Sequence, residues 1–254
     1  MRSYLIVALI LLIAASTATE IKVAPHGAAY SSLEAALNNA SSGDVIEVFS
    51  GTYNGSVYVD KQVELKGIDT GGGLPVIDAH SSGSAITLSA DGIALEGFNL
   101  TNSGHCGCGN AGIYVDSNNN TILHNIAYKD KYGIYIKPGK TGNRLFLNNL
   151  ADSSISSYDG GNNSWDGSTS AGMFGLLKRM AGNYYGDIDS SAYACNDSNK
   201  DGICDIAKAI SGGSSIDHYP LANPEGQGES SVPWGLEAWI EKSGQGLAPV
   251  RSPA

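Results

Sequence analysis

The sequence predicts an all-β fold, a right-handed parallel β-helix, on three observations. Ala111-Gly112-Ile113-Tyr114-Val115 recurs as Tyr132-Gly133-Ile134-Tyr135-Ile136, and Asn120-Thr121-Ile122-Leu123-His124-Asn125 recurs as Asn143-Arg144-Leu145-Phe146-Leu147-Asn148. Each copy alternates apolar and polar residues between Gly, Asn or Asp turns, the pattern of short half-buried strands. With 33 Gly and only 16% charged residues, the chain suits a turn-rich β architecture better than a helical one.

The elements follow in order. Arg2, the apolar run Tyr4 to Ala15 and the small residues Ser16-Thr17-Ala18 read as a secretory signal peptide over 1–19. The run is short for a membrane span, and the competing reading is an N-terminal anchor. No second long apolar run follows, so the mature chain is expected not to be an integral membrane protein. Ser31-Ser32-Leu33-Glu34 is a capping box with Ser31 at the N-cap, and Leu33, Ala36, Leu37 and Ala40 share one face of a helix over 31–40. Such a helix can cover the open first coil of a solenoid. Val45 to Val48, Val57 to Val59 and Val63 to Leu65 carry strand alternation, and a degenerate repeat runs through Ser84 to Leu88 and Ile93 to Phe98.

A repeat of about 22 residues, read as two strands per unit, matches one β-helix coil and leaves room for roughly six or seven coils between residues 20 and 186. Asn125 and Asn148 fall at equivalent turns, where stacked amides can bond to one another. The spacing lengthens at an insertion over 103–110. Residues 187–221 form an Asp-rich closing region, and the Gly-, Pro- and Ser-rich stretch 222–254 reads as a flexible tail.

The net charge of −10 argues against a nucleic-acid partner, which needs basic patches. Six Asn-x-Ser/Thr sequons and four Cys permit glycosylation and disulfides after export.

Three groups of residues can carry chemistry. Asp197, Asn199, Asp201 and Asp205 supply oxygen donors in the order of a calcium loop, with Gly202 at the turn and the Ile203 carbonyl as a further ligand. Cys195 and Cys204 bracket this loop and can pin it by a disulfide; the alternative is an Asp-rich surface turn without metal. His105, Cys106 and Cys108 can bind copper or zinc, or form a disulfide staple. Tyr114, Tyr128, Tyr132 and Tyr135 can form an outward stripe that stacks on sugar rings. No catalytic pattern is recognised among Asp91, Glu96, Asp116 and Asp130 or their basic neighbours.

The opening strand Ile21-Lys22-Val23, the capping helix, Ser42-Gly43-Asp44-Val45-Ile46-Glu47-Val48 and Gly51-Thr52-Tyr53 resemble the start of NosD-like and pectate-lyase-like β-helix proteins. The Gly-Ile-Tyr and Asn-Thr-Ile units resemble their repeats. Asn163-Ser164-Trp165-Asp166, Gly182-Asn183-Tyr184-Tyr185-Gly186-Asp187 and Ile216-Asp217-His218-Tyr219-Pro220-Leu221 are similar to archaeal cell-surface members. The resemblance implies export, a right-handed β-helix, and binding or processing of carbohydrate at the envelope; in the namesake branch it implies support of copper-site assembly. The expected function is therefore non-catalytic binding of a polysaccharide or envelope partner by a calcium-stabilised, secreted or cell-surface protein. A polysaccharide lyase or hydrolase and a copper-site maturation factor are the alternatives.

Overall fold

A computed structural model describes residues 18–105, 109–171, 177–186 and 195–224. The expectations placed on the signal peptide, on Cys106 and Cys108, and on most of the tail lie outside the described residues.

The chain winds into a parallel β-solenoid of about six turns with three sheets, not the two strands per unit expected. The first sheet stacks seven strands: Glu20–Val23, Val45–Phe49, Glu64–Ile68, Ala94–Glu96, Thr121–Leu123, Thr141–Phe146 and Asn162–Ser164. The second stacks Val57–Val59, Ile86–Leu88, Ala111–Val115, Tyr132–Ile136 and Ile155–Asp159. The third stacks Thr52–Asn54, Val76–Asp78, Asn99–Thr101, Ile126–Tyr128, Asn149–Leu150 and Tyr184–Tyr185. The first and third sheets are hard to separate in sequence. Only His124 and Asn125 divide Thr121–Leu123 from Ile126–Tyr128, and His124 turns the corner at φ 54°.

Alternation sets the core. Ile46, Leu65, Leu95, Ile122 and Leu145 stack inward from the first sheet, all fully buried. Ile86, Ile113 and Ile134 do the same in the second, and Ile77, Leu100, Ala127 and Leu150 in the third. Gly112 and Gly133 hold equivalent places where coils approach closely. A Cβ on Gly112 would stand 2.5 Å from Asp130 Oδ2, and one on Gly133 2.6 Å from the Ser156 carbonyl. That is the physical content of the recurring Gly-Ile-Tyr unit.

Two buried amide ladders run along the corners. Asn120 donates through its backbone N–H and Nδ2 to Asn143 Oδ1, and Asn143 donates in the same way to Asn163 Oδ1. Asn125 donates to Asn148 Oδ1 and Asn148 to Asn183 Oδ1. In both ladders the backbone N–H and Nδ2 bond the next rung toward the C-terminal end, while Nδ2 also donates back to a carbonyl of the preceding coil, as from Asn143 to Ser117 and from Asn148 to Ile122. The first ladder ends with the Asn163 N–H on Ser215 Oγ and its Nδ2 on Asp159 Oδ1, and the second ends with the Asn183 N–H on Asp217 Oδ2. A carboxylate terminates such a chain because it has no N–H left to place.

The ends are closed differently. The N-terminal helix spans Leu33–Asn39 and buries Leu33, Ala36 and Leu37 against the first coil. Its N-cap is Ser32, not Ser31: Ser32 is extended and its Oγ accepts the Ala35 N–H at 3.1 Å. Tyr30, just before the two serines, bridges Val23 of the first strand. At the far end Trp165 and Tyr185 are fully buried beneath the hairpin Lys208–Ala209 with Ile216–Asp217.

Candidate functional site

Register in the second sheet aligns one outward position on five successive coils: Tyr58, Thr87, Tyr114, Tyr135 and Tyr158. Residues directly opposite on parallel strands stand about 4.8 Å apart, close to the thickness of stacked rings. Tyr114 and Tyr135 accordingly stack with centroids 5.4 Å apart and planes 5° from parallel. Tyr135 and Tyr158 stack at 4.6 Å and 7°. Tyr132 meets both Tyr135 and Tyr158 edge-on. Burial within this row and the neighbouring phenols push the Tyr135 hydroxyl above its ordinary pKa.

Three of the four expected stripe residues therefore meet: Tyr114, Tyr132 and Tyr135. Tyr128 does not, because its strand belongs to the third sheet, where Lys129 Nζ lies 5.8 Å from its ring centre. Tyr58 and Tyr158 were missed. They belong to coils whose copies of the Gly-Ile-Tyr unit are degenerate, and only pairing register reveals them.

The row has a gap. Thr87 carries no ring, so among the described residues Tyr114 stacks on Tyr135 and meets no ring on its Thr87 side, and Tyr58, one rung further, is 63% exposed. Two strand spacings, roughly 9.6 Å, separate the Tyr58 and Tyr114 backbones. Beside the gap, Lys137 Nζ pairs with Asp116 Oδ2 at 2.7 Å and Lys140 Nζ with Asp116 Oδ1 at 3.0 Å. These two ammonium groups hold the Asp116 carboxyl below its usual range against the opposing effect of burial.

In the closing region Cys195 and Cys204 form a disulfide. Asp197 accepts the Asp201 and Gly202 backbone N–H groups at 3.0 and 2.9 Å. Asp201 Oδ1 accepts the Ile203 N–H and its Oδ2 the Asn199 amide. Asp205 Oδ2 accepts from Asn196 and from the Ser198 N–H and hydroxyl. The loop carboxylates thus cap backbone and side-chain donors. Among the described residues no group of three or more His, Cys, Asp or Glu is placed to hold a metal ion. His105 is exposed on the insertion, which lengthens one coil so that Ile86 pairs Ile113, whereas Ile113 pairs Ile134 only 21 residues on.

Residues 77–190 match the family model described as periplasmic copper-binding protein (NosD). No curated protein and no solved structure matches. Copper favours imidazole, thiolate or thioether donors. Among the described residues Cys195 and Cys204 are joined to each other, and His80 and His218 each bond a carboxylate, Asp78 and Asp166. The match and the described parallel coils within it agree on a NosD-like β-helix.

Proposed function

We propose that this chain is an extracytoplasmic, non-catalytic β-helix protein that binds carbohydrate or a polysaccharide-bearing envelope partner on its tyrosine face. The observation that carries the reading is the gap at Thr87. Tyrosine rings flank a rung where the sheet supplies none, and a flat sugar ring is the shape that fills it. The Lys137–Asp116–Lys140 cluster beside it offers charged partners to hydroxyl groups. The periplasmic description of the matched family supports the location. In the described residues no helix is long and apolar enough to cross a membrane.

A glycan array followed by titration tests the binding. Tyr114→Ala is expected to weaken binding about ten-fold, consistent with the loss of one aromatic contact of roughly 1.4 kcal/mol. Thr87→Tyr fills the rung and is expected to abolish binding while leaving the fold intact. Binding indifferent to both changes would sink the reading, and cleavage of a bound glycan would replace it with the lyase or hydrolase alternative.

Calcium binding by Asp197, Asn199, Asp201, Asp205 and the Ile203 carbonyl is supported by ligand order alone. Added calcium is expected to raise the melting temperature and a chelator to lower it; no movement would leave hydrogen bonds and the disulfide as the loop's only closure. The copper-maturation reading draws its support from the matched family, and its candidate ligands here are His105, Cys106 and Cys108. Metal analysis of the purified chain, with and without those two Cys, decides it.

A further inference from the structure

A second concave site lies on a different sheet. A cavity of about 530 Å³ opens where Thr141–Phe146 and Asn162–Ser164 meet the closing hairpin. Its size falls in the range of small-ligand pockets. Arg144, Asn162, Ser164, Asp166, Ser214 and His218 are among the residues that line it.

Most of its polar side chains already have partners. Asn143 and Asn163 spend their amides in the ladder. Ser215 Oγ donates to Asp159 Oδ2, and Ser164 Oγ to the Asp166 carbonyl. Asp166 Oδ2 accepts both the backbone N–H and Nδ1 of His218, at 3.1 and 2.7 Å. This pairing fixes the imidazole and leaves its Nε2 directed away from Asp166. Arg144 is different. Its guanidinium lies 5.5 Å from the Phe146 ring centre, and no carboxylate of the described residues forms an ion pair with it. The fork of Arg144 and the side-chain amide of Asn162 therefore remain as N–H donors.

We propose that this cavity binds an oxyanion borne on a sugar, a carboxylate or a phosphate. Arg144 takes the oxyanion through its planar fork, and His218, oriented by Asp166, stands beside it. The second oxygen of Asp166 accepts a sugar hydroxyl. The site is independent of the tyrosine face, since Arg144 belongs to the first sheet and Tyr114 to the second.

Calorimetric titration of the full chain with glucuronate, glucose 6-phosphate, glucose and inorganic phosphate tests it. At least one charged sugar is expected to bind at least about ten-fold more tightly than glucose, and the stronger of the two identifies the oxyanion. Arg144→Gln is expected to weaken that binding about ten-fold or more, with Arg144→Lys intermediate and the melting temperature unchanged. Tyr114→Ala is expected to leave it intact. Charged sugars binding no better than glucose, inorganic phosphate binding as well as the sugars, or Arg144→Gln binding like the parent chain would each overturn the proposal.

Discussion

Asp130 is a buried carboxyl in the coils with one oxygen left without a partner among the described residues. Its Oδ1 accepts the Ser103 N–H at 2.8 Å, and Oδ2 is the oxygen without a partner. Burial pushes its carboxyl up from 3.8 to about 7. The sign follows from linkage. Between the unfolded value and the raised folded value the native state holds a proton that the unfolded chain has released. Stability therefore falls as pH rises from about 4 to 7, by an amount on the order of 4 kcal/mol at most. Asp217, pushed up to about 6 by its burial, adds a fall of the same sign that ends at lower pH. Asp130→Asn keeps an acceptor for Ser103 and carries no charge. Denaturant titrations at several pH values are expected to show the fall between pH 6 and 7 in the parent and not in Asp130→Asn. An identical slope in both would show that Asp130 is ionised throughout.

The capping helix shows which parts of an element are legible in sequence. Its apolar face is, because Leu33, Ala36 and Leu37 recur at helical spacing and are all buried. Its start is displaced by one residue, because two adjacent serines offer the same hydroxyl and it is Ser32 whose Oγ meets the Ala35 N–H. Its C-terminal closure is invisible: Lys61 Nζ reaches from the following coil to the Leu37, Asn38 and Ala40 carbonyls at 2.7, 3.2 and 2.9 Å. The same distance in sequence hides the cavity, whose Arg144, Asp166 and His218 meet only once the chain has wound. The Asn125 and Asn148 turns, by contrast, could be read directly from the repeat. A cation on the orphan carbonyls of a helix end is worth about 1–2 kcal/mol in a partly buried setting. Lys61→Met keeps the aliphatic stem and removes the three bonds. Its melting curve is expected to show a loss of that size, whereas an unchanged curve would mean that water serves the carbonyls equally well.

At the scale of the whole molecule, stability in a solenoid is local, because each coil touches only its neighbours. The polarity of the ladders gives this locality a direction. From Asn125 onward each backbone N–H donates to the next rung toward the C-terminal end, and the series stops on Asp217, whose carboxylate also receives the Tyr185 hydroxyl and the Tyr219 N–H. Asp217→Asn preserves size but replaces one acceptor oxygen by an N–H₂ group. Whichever way the amide turns, a donor then faces a donor in a site closed to water. One such buried mismatch costs about 1–3 kcal/mol. The loss is expected to be graded along the axis. Hydrogen exchange should quicken most at the Asn183 amide, less at Asn148, and not at Ile46 or Leu65, which lie on early coils beyond the ladder's first rung. A uniform loss of protection along all coils would show instead that the solenoid unfolds as one unit, with its closing carboxylate coupled to the helix at the opposite end.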